Sequence, residues 1–127
     1  MISFKEFRPD GNTPIYLQIV DYVRRGIAFG GIPDGDELPS RRALSVLLGI
    51  NPNTVQRAFG MLEEEGLISS SHGVTSTVTA PPSRVEELRE EFLASDVKAA
   101  AAMLKRSGLS LEQAAALLAA YWEEAEK

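Results

Sequence analysis

Apolar residues recur at helical spacing in three segments of the first two thirds of the chain. The first segment opens with Thr13 as the predicted helix cap and Pro14 in the first helical position, and it ends at the glycine pair 30–31. The second covers residues 41–48 after a Ser40 cap, and the third runs from an Asn51 cap to Gly66. The residues predicted to face the core are Tyr16, Ile19, Val20, Val23, Ile27, Leu44, Leu47, Leu48, Val55, Ala58, Phe59 and Leu62.

Only residues 49–51 separate the second helix from the third, so these two helices must cross steeply as a helix-turn-helix. The segment 67–71, with a polar serine run, and the β-branched run 74–79 follow on either side of the turn pair His72 and Gly73, and together they predict a β-hairpin. This order of elements is that of a winged helix. We therefore expect a mainly α fold with a small β-hairpin, in which residues 1–80 form an N-terminal winged helix-turn-helix domain and residues 1–12 an irregular lead-in.

The prolines at positions 81 and 82 predict a domain boundary, because neither can continue a strand. Beyond them, residues 84–106 and a last helix opened by a capping box at Ser110 and Gln113 make residues 81–127 a C-terminal two-helix dimerisation segment. Two helices of this size cannot bury all their apolar side chains against each other, so we expect a homodimer. The side chains predicted at its interface are Phe92, Leu118, Tyr121 and Trp122. The alternative is that the two helices fold back onto the winged helix of their own chain.

Composition narrows the chemistry without changing this architecture. The chain has 127 residues, of which 44% are hydrophobic and 24% charged, with no cysteine and one histidine, so a disulfide framework, a thiolate nucleophile and a zinc cluster are all excluded. No signal peptide and no long apolar run is evident, so we expect a soluble cytoplasmic protein without a membrane partner, a metal or a cofactor. The net charge of −5 argues at first sight against a nucleic-acid partner.

The positive charge is nevertheless concentrated. Residues 38–61 contain three arginines and no acidic residue. In this stretch the exposed side chains early in the third helix should face a DNA major groove, because Asn and Gln can pair with adenine and Arg with guanine. They are Asn53, Thr54, Gln56 and Arg57.

Other DNA contacts are expected around this helix. Arg41 and Arg42, at the start of the preceding helix, should bind phosphates. Ser40 and Asn51 are expected mainly as helix caps, with an added phosphate contact as the alternative. The turn pair His72 and Gly73 would be the wing tip that reaches the minor groove, or else a solvated turn. Arg57 could instead pair with an exposed acid, and residues 63–65, all glutamate, should form a solvated helix face.

Three stretches together resemble the winged helix of GntR-type bacterial transcription regulators. Residues 38–44 read LPSRRAL, residues 48–59 read LGINPNTVQRAF, and residues 62–68 read LEEEGLI. The resemblance spans about residues 13–79, and the opening PIYLQI of residues 14–19 with the short helical tail resembles the YtrA subfamily, in which that tail serves dimerisation.

The resemblance implies a dimeric regulator that binds operator DNA, usually a repressor. It also places Arg42, Asn53, Thr54, Gln56, Arg57 and the wing tip at His72 and Gly73 where the family contacts DNA. The sequence departs from the family at Ala43, at Gly60 and in the wing, residues 70–76, which contains no Arg or Lys.

Two function classes follow from these patterns. The first is a sequence-specific DNA-binding regulator whose homodimer reads a palindromic operator. The alternative is a winged-helix module that binds a protein partner through its acidic surface and apolar tail without binding DNA. An enzyme is disfavoured, because the sequence shows no nucleophile beside a base, no phosphate-binding loop and no metal-ligand spacing. The sequence indicates no particular small-molecule effector.

Overall fold

The structure is a computed structural model that describes residues 1–71 and 75–125. It is mainly helical, with a small three-stranded antiparallel sheet: an N-terminal winged helix-turn-helix is followed by C-terminal helices. In chain order the elements are α1 Ile15–Ala28, β1 Glu37–Leu38, α2 Arg41–Leu48, α3 Pro52–Glu64, β2 Ile68–Ser71, β3 Thr75–Val78, α4 Pro82–Arg106 and α5 Leu111–Tyr121, with a short 3-10 turn at Trp122–Glu124.

The core of the winged helix forms where α1 packs on α3. The predicted stripe of α3 is buried throughout, and so are four of the five residues predicted on α1. Tyr16, the fifth, is only half-buried. On α2 the prediction is wrong for Leu47, which is exposed, because α2 turns only Leu44 and Ser45 fully inward.

Two helix starts differ from the prediction by one or two residues. Thr13 was predicted to cap α1, but Pro14 occupies the cap position with an extended backbone, and no side chain caps that end. Helix α4 begins at Pro82 rather than at residue 84, because proline is well suited to the first turn of a helix. The caps predicted for α2, α3 and α5 are confirmed.

The sheet has a strand that the hairpin prediction did not contain. Its order is β1-β3-β2, with Leu38 of β1 opposite Ser76 of β3 and with Ser70 of β2 on the other side of Ser76. The two-residue strand β1 directly precedes α2, so it joins the wing strands to the start of the helix-turn-helix.

The N-terminal segment has no helix or strand, as expected, but it also contributes to the core. Ile2, Phe4 and Phe7 are buried, and the rings of Phe4 and Phe7 lie 5.0 and 5.4 Å from the ring of Tyr22 on α1. The Tyr22 hydroxyl donates a hydrogen bond to the Ser3 carbonyl at 2.8 Å. This segment therefore fixes one side of α1 on the winged helix.

The N-terminal segment also reaches the start of the sheet. The Met1 ammonium hydrogen-bonds to the carboxylate of Asp36 at 3.0 Å, which lowers the pKa of that carboxyl below its ordinary value.

The chain divides into two compact units, residues 1–90 and 91–127. The first contains the winged helix and the start of α4, including Leu88, which is fully buried. The second contains the remainder of α4 and α5, which opens with the predicted reciprocal capping box between Ser110 and Gln113. No helix in residues 1–71 and 75–125 is long and apolar enough to cross a membrane.

Candidate nucleic-acid interface

Helices α2 and α3 form the helix-turn-helix, and side chains cap the N-terminal end of each. The Ser40 hydroxyl accepts a hydrogen bond from the Ala43 amide at 3.0 Å, and the Asn51 side-chain oxygen accepts one from the Asn53 amide at 2.8 Å. Gly49 adopts a left-handed conformation with φ of 66°, which lets α3 begin with only three residues between it and the end of α2. Ser40 and Asn51 are both exposed at these helix ends.

The first two turns of α3 present polar side chains on one face. Asn53, Gln56 and Arg57 are exposed, and their spacing of three and four residues makes them neighbours on the helix surface. Gly60 continues the same face one turn later, and apart from its chain neighbours and its own helix backbone no described atom lies within 4 Å of the place where a Cβ would stand. Thr54 lies at the edge of this face and is half-buried. We call Asn53, Gln56 and Arg57 the recognition face.

Arg57 is held against an aromatic side chain from another helix. The central carbon of its guanidinium lies 3.9 Å from the centroid of the Tyr16 ring on α1. The acid pairing considered for Arg57 is therefore replaced in the structure by a cation–π contact, and the side chain stays exposed.

Arg41 and Arg42 point to different surroundings although they are adjacent in sequence. The Arg41 guanidinium lies 3.0 Å from a carboxylate oxygen of Glu63 and 3.3 Å from the Ser70 hydroxyl, and its side chain is only 21% exposed. Arg42 is exposed. Residues 38–61 contain no acid, but the fold brings Glu63 beside them. A phosphate bound by Arg41 would compete with Glu63 for the charge and the donors of the guanidinium.

The three glutamates that end α3 do not form one solvated face, so that expectation is wrong for two of them. Glu63 also accepts a hydrogen bond from the Ser70 hydroxyl at 2.6 Å. Glu65 accepts from both Arg24 and Arg84 at 3.1 Å. Each pairing places a cation beside the carboxylate, so the negative charge at this end of α3 is partly compensated.

The described part of the wing is its two strands, β2 and β3. Ser70 of β2 links Glu63 to Ser76 of β3, whose hydroxyl lies 3.1 Å from that of Ser70. A chain of polar contacts therefore joins the helix-turn-helix to the wing strands. His72 and Gly73, the predicted minor-groove contact, lie outside the described residues.

The sequence of these elements matches a family of known proteins. The family described as bacterial regulatory proteins, gntR family, matches residues 15–78, which is half of the chain. The chain belongs to the GntR family. It is a DNA-binding transcription regulator of the YtrA-like type.

Three similar proteins illustrate how far the likeness extends. The chain is 29% identical to the uncharacterized HTH-type transcriptional regulator YhcF of Bacillus subtilis over 80% of this chain and 84% of YhcF. It is 42% identical to the HTH-type transcriptional repressor YtrA of Bacillus subtilis over 51% of this chain and 50% of YtrA. A solved structure of a GntR family transcriptional regulator from Listeria monocytogenes superposes with a TM-score of 0.75 and 32% identity, covering 87% of this chain and 96% of that one.

Membership of the GntR family decides between the function classes considered from the sequence. The family consists of transcription regulators rather than enzymes, and its helix-turn-helix binds DNA. It therefore favours the DNA-binding regulator over a winged helix that binds only a protein partner.

The residues predicted for dimerisation differ in exposure within the single chain. Phe92 is only 5% exposed, so a second copy could cover almost none of it. Leu118, Tyr121 and Trp122 are 48%, 61% and 68% exposed. Leu118 and Trp122 also line an apolar groove of about 670 Å³ between the C-terminal half of α4 and α5.

Sequence reasoning missed three residues that organise this interface. Tyr16 was counted among the core residues of α1, Glu63 among the solvated acids, and Ser70 only as part of the wing. The partners of Tyr16 and Glu63 lie 41 and 22 residues away along the chain, so no local spacing reveals them. The sequence shows only that residues 38–61 contain no acid, so any acidic partner of Arg41 or Arg57 within the fold comes from outside that stretch.

Proposed function

We propose that this protein is a repressor that binds a palindromic operator as a homodimer and acts in the cytoplasm. The name of the similar YtrA of Bacillus subtilis, a transcriptional repressor, supports the sign of regulation. A two-fold dimer presents two copies of α3, and a palindromic site matches that symmetry.

The observation that carries the proposal is the recognition face on α3. Its buried stripe fixes the helix on the core, while Asn53, Gln56 and Arg57 project together from the first two turns. Side chains in these turns meet base edges when a helix lies in the major groove. Asn and Gln can each form two hydrogen bonds with adenine and Arg two with guanine, so this face can read sequence directly.

Phosphate contacts would fix the position of α3 on the duplex. Arg42 is exposed at the start of α2, and Ser40 and Asn51 lie at the helix N-termini, where backbone amides favour anions. Thr54, at the edge of the recognition face, can donate its hydroxyl to a phosphate or pack on a thymine methyl.

We further propose that the apolar groove of the second unit is covered by a second copy of the chain. The exposed Leu118, Tyr121 and Trp122 lie close together in sequence at the end of α5, and apolar surface of this kind is usually covered by another protein. Each copy would present the same residues to the other, as a two-fold interface requires.

Binding of selected DNA tests the proposal. Duplexes selected from a random oligonucleotide pool should be palindromic. Arg57→Ala should weaken binding to them by about 1–3 kcal/mol and relax base preference at one position of each half-site, because one bidentate contact is lost. Arg106→Ala, at the far end of α4, removes the same charge from an exposed position and should bind like the parent.

Two results would contradict the proposal. One is a selection that recovers no preferred sequence. The other is an Arg57→Ala protein with the affinity and base preference of the parent.

A further inference from the structure

The contact between Arg57 and Tyr16 joins the recognition face to a helix outside the helix-turn-helix. Tyr16 is the second residue of α1 and is half-buried. Arg57 is exposed on α3, and its guanidinium carbon lies 3.9 Å from the centroid of that ring. At this distance the ring and the guanidinium are in direct contact.

This contact is compatible with reading a base. A cation–π interaction uses the face of the ring, whereas all five donors of a guanidinium lie in its own plane. Guanine is recognised by two of those in-plane donors, through its O6 and N7 atoms. An arginine whose guanidinium lies on an aromatic ring can therefore still direct its in-plane donors at guanine.

Tyr16 is not needed to bury the core of α1. Ile19, Val20 and Val23 are buried on the same helix, which packs on α3. Tyr16 stands at the N-terminal end of that row and is less buried than any of them. Tyr16 lies at the margin of the core and contacts an exposed arginine. Its position is therefore better suited to restraining that arginine than to filling the core.

We infer that Tyr16 is a positioning residue that sets the base specificity of Arg57. An unrestrained arginine loses much side-chain freedom when it binds, and that loss weakens binding. The ring of Tyr16 restricts Arg57 before DNA arrives and so favours the orientation in which the recognition face meets the groove. This inference rests on the proposed function, because it requires that Arg57 reads a base.

Four variants of the full chain test the inference: Tyr16→Leu, Tyr16→Phe, Arg57→Ala, and Tyr16→Leu combined with Arg57→Ala. The probe is the duplex that the parent protein selects from a random pool, together with copies altered at the base pair where Arg57→Ala relaxes preference. Affinity is measured by fluorescence anisotropy at one fixed salt concentration. Thermal denaturation shows whether each variant is folded.

The matched control is Phe29→Leu. Phe29 also carries an arginine on its ring, with the Arg89 guanidinium carbon 5.2 Å from the ring centroid, but neither residue lies on α3. Phe29→Leu should therefore remove a similar contact without changing affinity for the selected duplex or its base preference.

The expected result for Tyr16→Leu is an affinity lower by about 3- to 10-fold, with relaxed preference at the base pair that Arg57 reads. Tyr16→Phe keeps the ring and should bind within about twofold of the parent. In the Arg57→Ala background Tyr16→Leu should have little further effect, because its partner is already absent.

The outcomes separate the inference from the proposed function. If Arg57→Ala weakens binding and Tyr16→Leu does not, the inference about Tyr16 is wrong and the function stands. If Tyr16→Phe loses as much affinity as Tyr16→Leu, the hydroxyl contacts DNA itself and the positioning role is overturned. If Arg57→Ala changes neither affinity nor preference, base reading by Arg57 is wrong and the role of Tyr16 falls with it.

Discussion

The three arginines of residues 38–61 carry the same charge in three different environments. Arg41 is paired with Glu63, Arg57 rests on Tyr16, and Arg42 is exposed at the start of α2. The neighbour of each arginine decides what it can offer to DNA. A carboxylate partner competes with a phosphate for the charge and the donors of an arginine, whereas an exposed arginine has only bound water to lose.

The salt dependence of DNA binding should distinguish Arg41 from Arg42. Each phosphate neutralised by a cation contributes about −0.9 to the slope of log affinity against log salt concentration. Arg42→Ala should reduce the steepness of that slope by about 1. Arg41→Ala should reduce it by less and lower the melting temperature instead, because it removes the contacts to Glu63 and Ser70. Equal slopes for the two variants would contradict this division of roles.

Two glycines inside helices should respond in opposite directions to the same substitution. At Gly60 a Cβ meets nothing within 4 Å, so Gly60→Ala should raise the free energy of unfolding by about 0.5–1 kcal/mol through helix propensity. At Gly26 a Cβ would overlap the buried side chain of Ile32, which would have to shift. Gly26→Ala should therefore lower the free energy of unfolding by about 1–3 kcal/mol.

Urea denaturation of the two glycine variants beside the parent protein measures both changes. A stabilised Gly26→Ala protein would show that Ile32 repacks without cost. A destabilised Gly60→Ala protein would show that the open surface of α3 is occupied.

At the scale of elements, local signals were sufficient where a helix end is set by its own residues. Ser40, Asn51 and Ser110 cap the helices for which they were predicted, and Gly49 ends α2 in the left-handed conformation. These features depend on atoms within four residues of one another, so the sequence pattern carries them.

Elements that depend on distant partners were not predictable in this way. The strand β1 has only two residues and exists because it pairs with β3, almost 40 positions later. Phe4 and Phe7 belong to the core because Tyr22 lies beside them, and the turn-forming residues at positions 9–12 predict only that their segment is irregular. The contact between Arg57 and Tyr16 has the same origin, which explains why the recognition face was predicted and its support was not.

The start of α4 should contribute to the stability of the winged helix. Leu88 is fully buried in the first compact unit, although it lies beyond the boundary predicted at residues 80–81. Leu88→Ala should therefore lower the free energy of unfolding by about 2–5 kcal/mol. Leu93→Ala, on the same helix at an exposed position, should change it by about 0.5 kcal/mol or less. Equal effects in chemical denaturation would contradict this role for Leu88.

At the scale of the whole molecule, the protein binds DNA while carrying a net charge of −5. Within the first unit Glu63 pairs with Arg41, and Glu65 pairs with Arg24 and Arg84. Neither carboxylate is therefore an uncompensated negative charge beside the exposed polar face of α3. These pairings also engage three arginines, so fewer cations are available to bind phosphates nonspecifically. Discrimination between operator and other DNA must therefore come mainly from base contacts. Two copies of the recognition face would supply twice as many base contacts as one.

The proposed dimer predicts the mass of the protein in solution. In sedimentation equilibrium at micromolar concentration the parent protein should have twice the 13.8 kDa mass of one chain. Trp122→Glu places a charge on the apolar end of α5, where the side chain is 68% exposed and folding tolerates it, so it should shift the protein to the single-chain mass. Leu47→Glu, at a similarly exposed position on α2, should remain a dimer.

The same variant links assembly to recognition. A single chain binds one half-site, whereas a dimer gains the second half-site at high effective concentration. Trp122→Glu should therefore weaken binding to a full palindrome much more than binding to an isolated half-site, although Trp122 lies in the second compact unit, outside the winged helix. A parent protein of single-chain mass that binds the full palindrome no more tightly than a half-site would show that each winged helix acts alone.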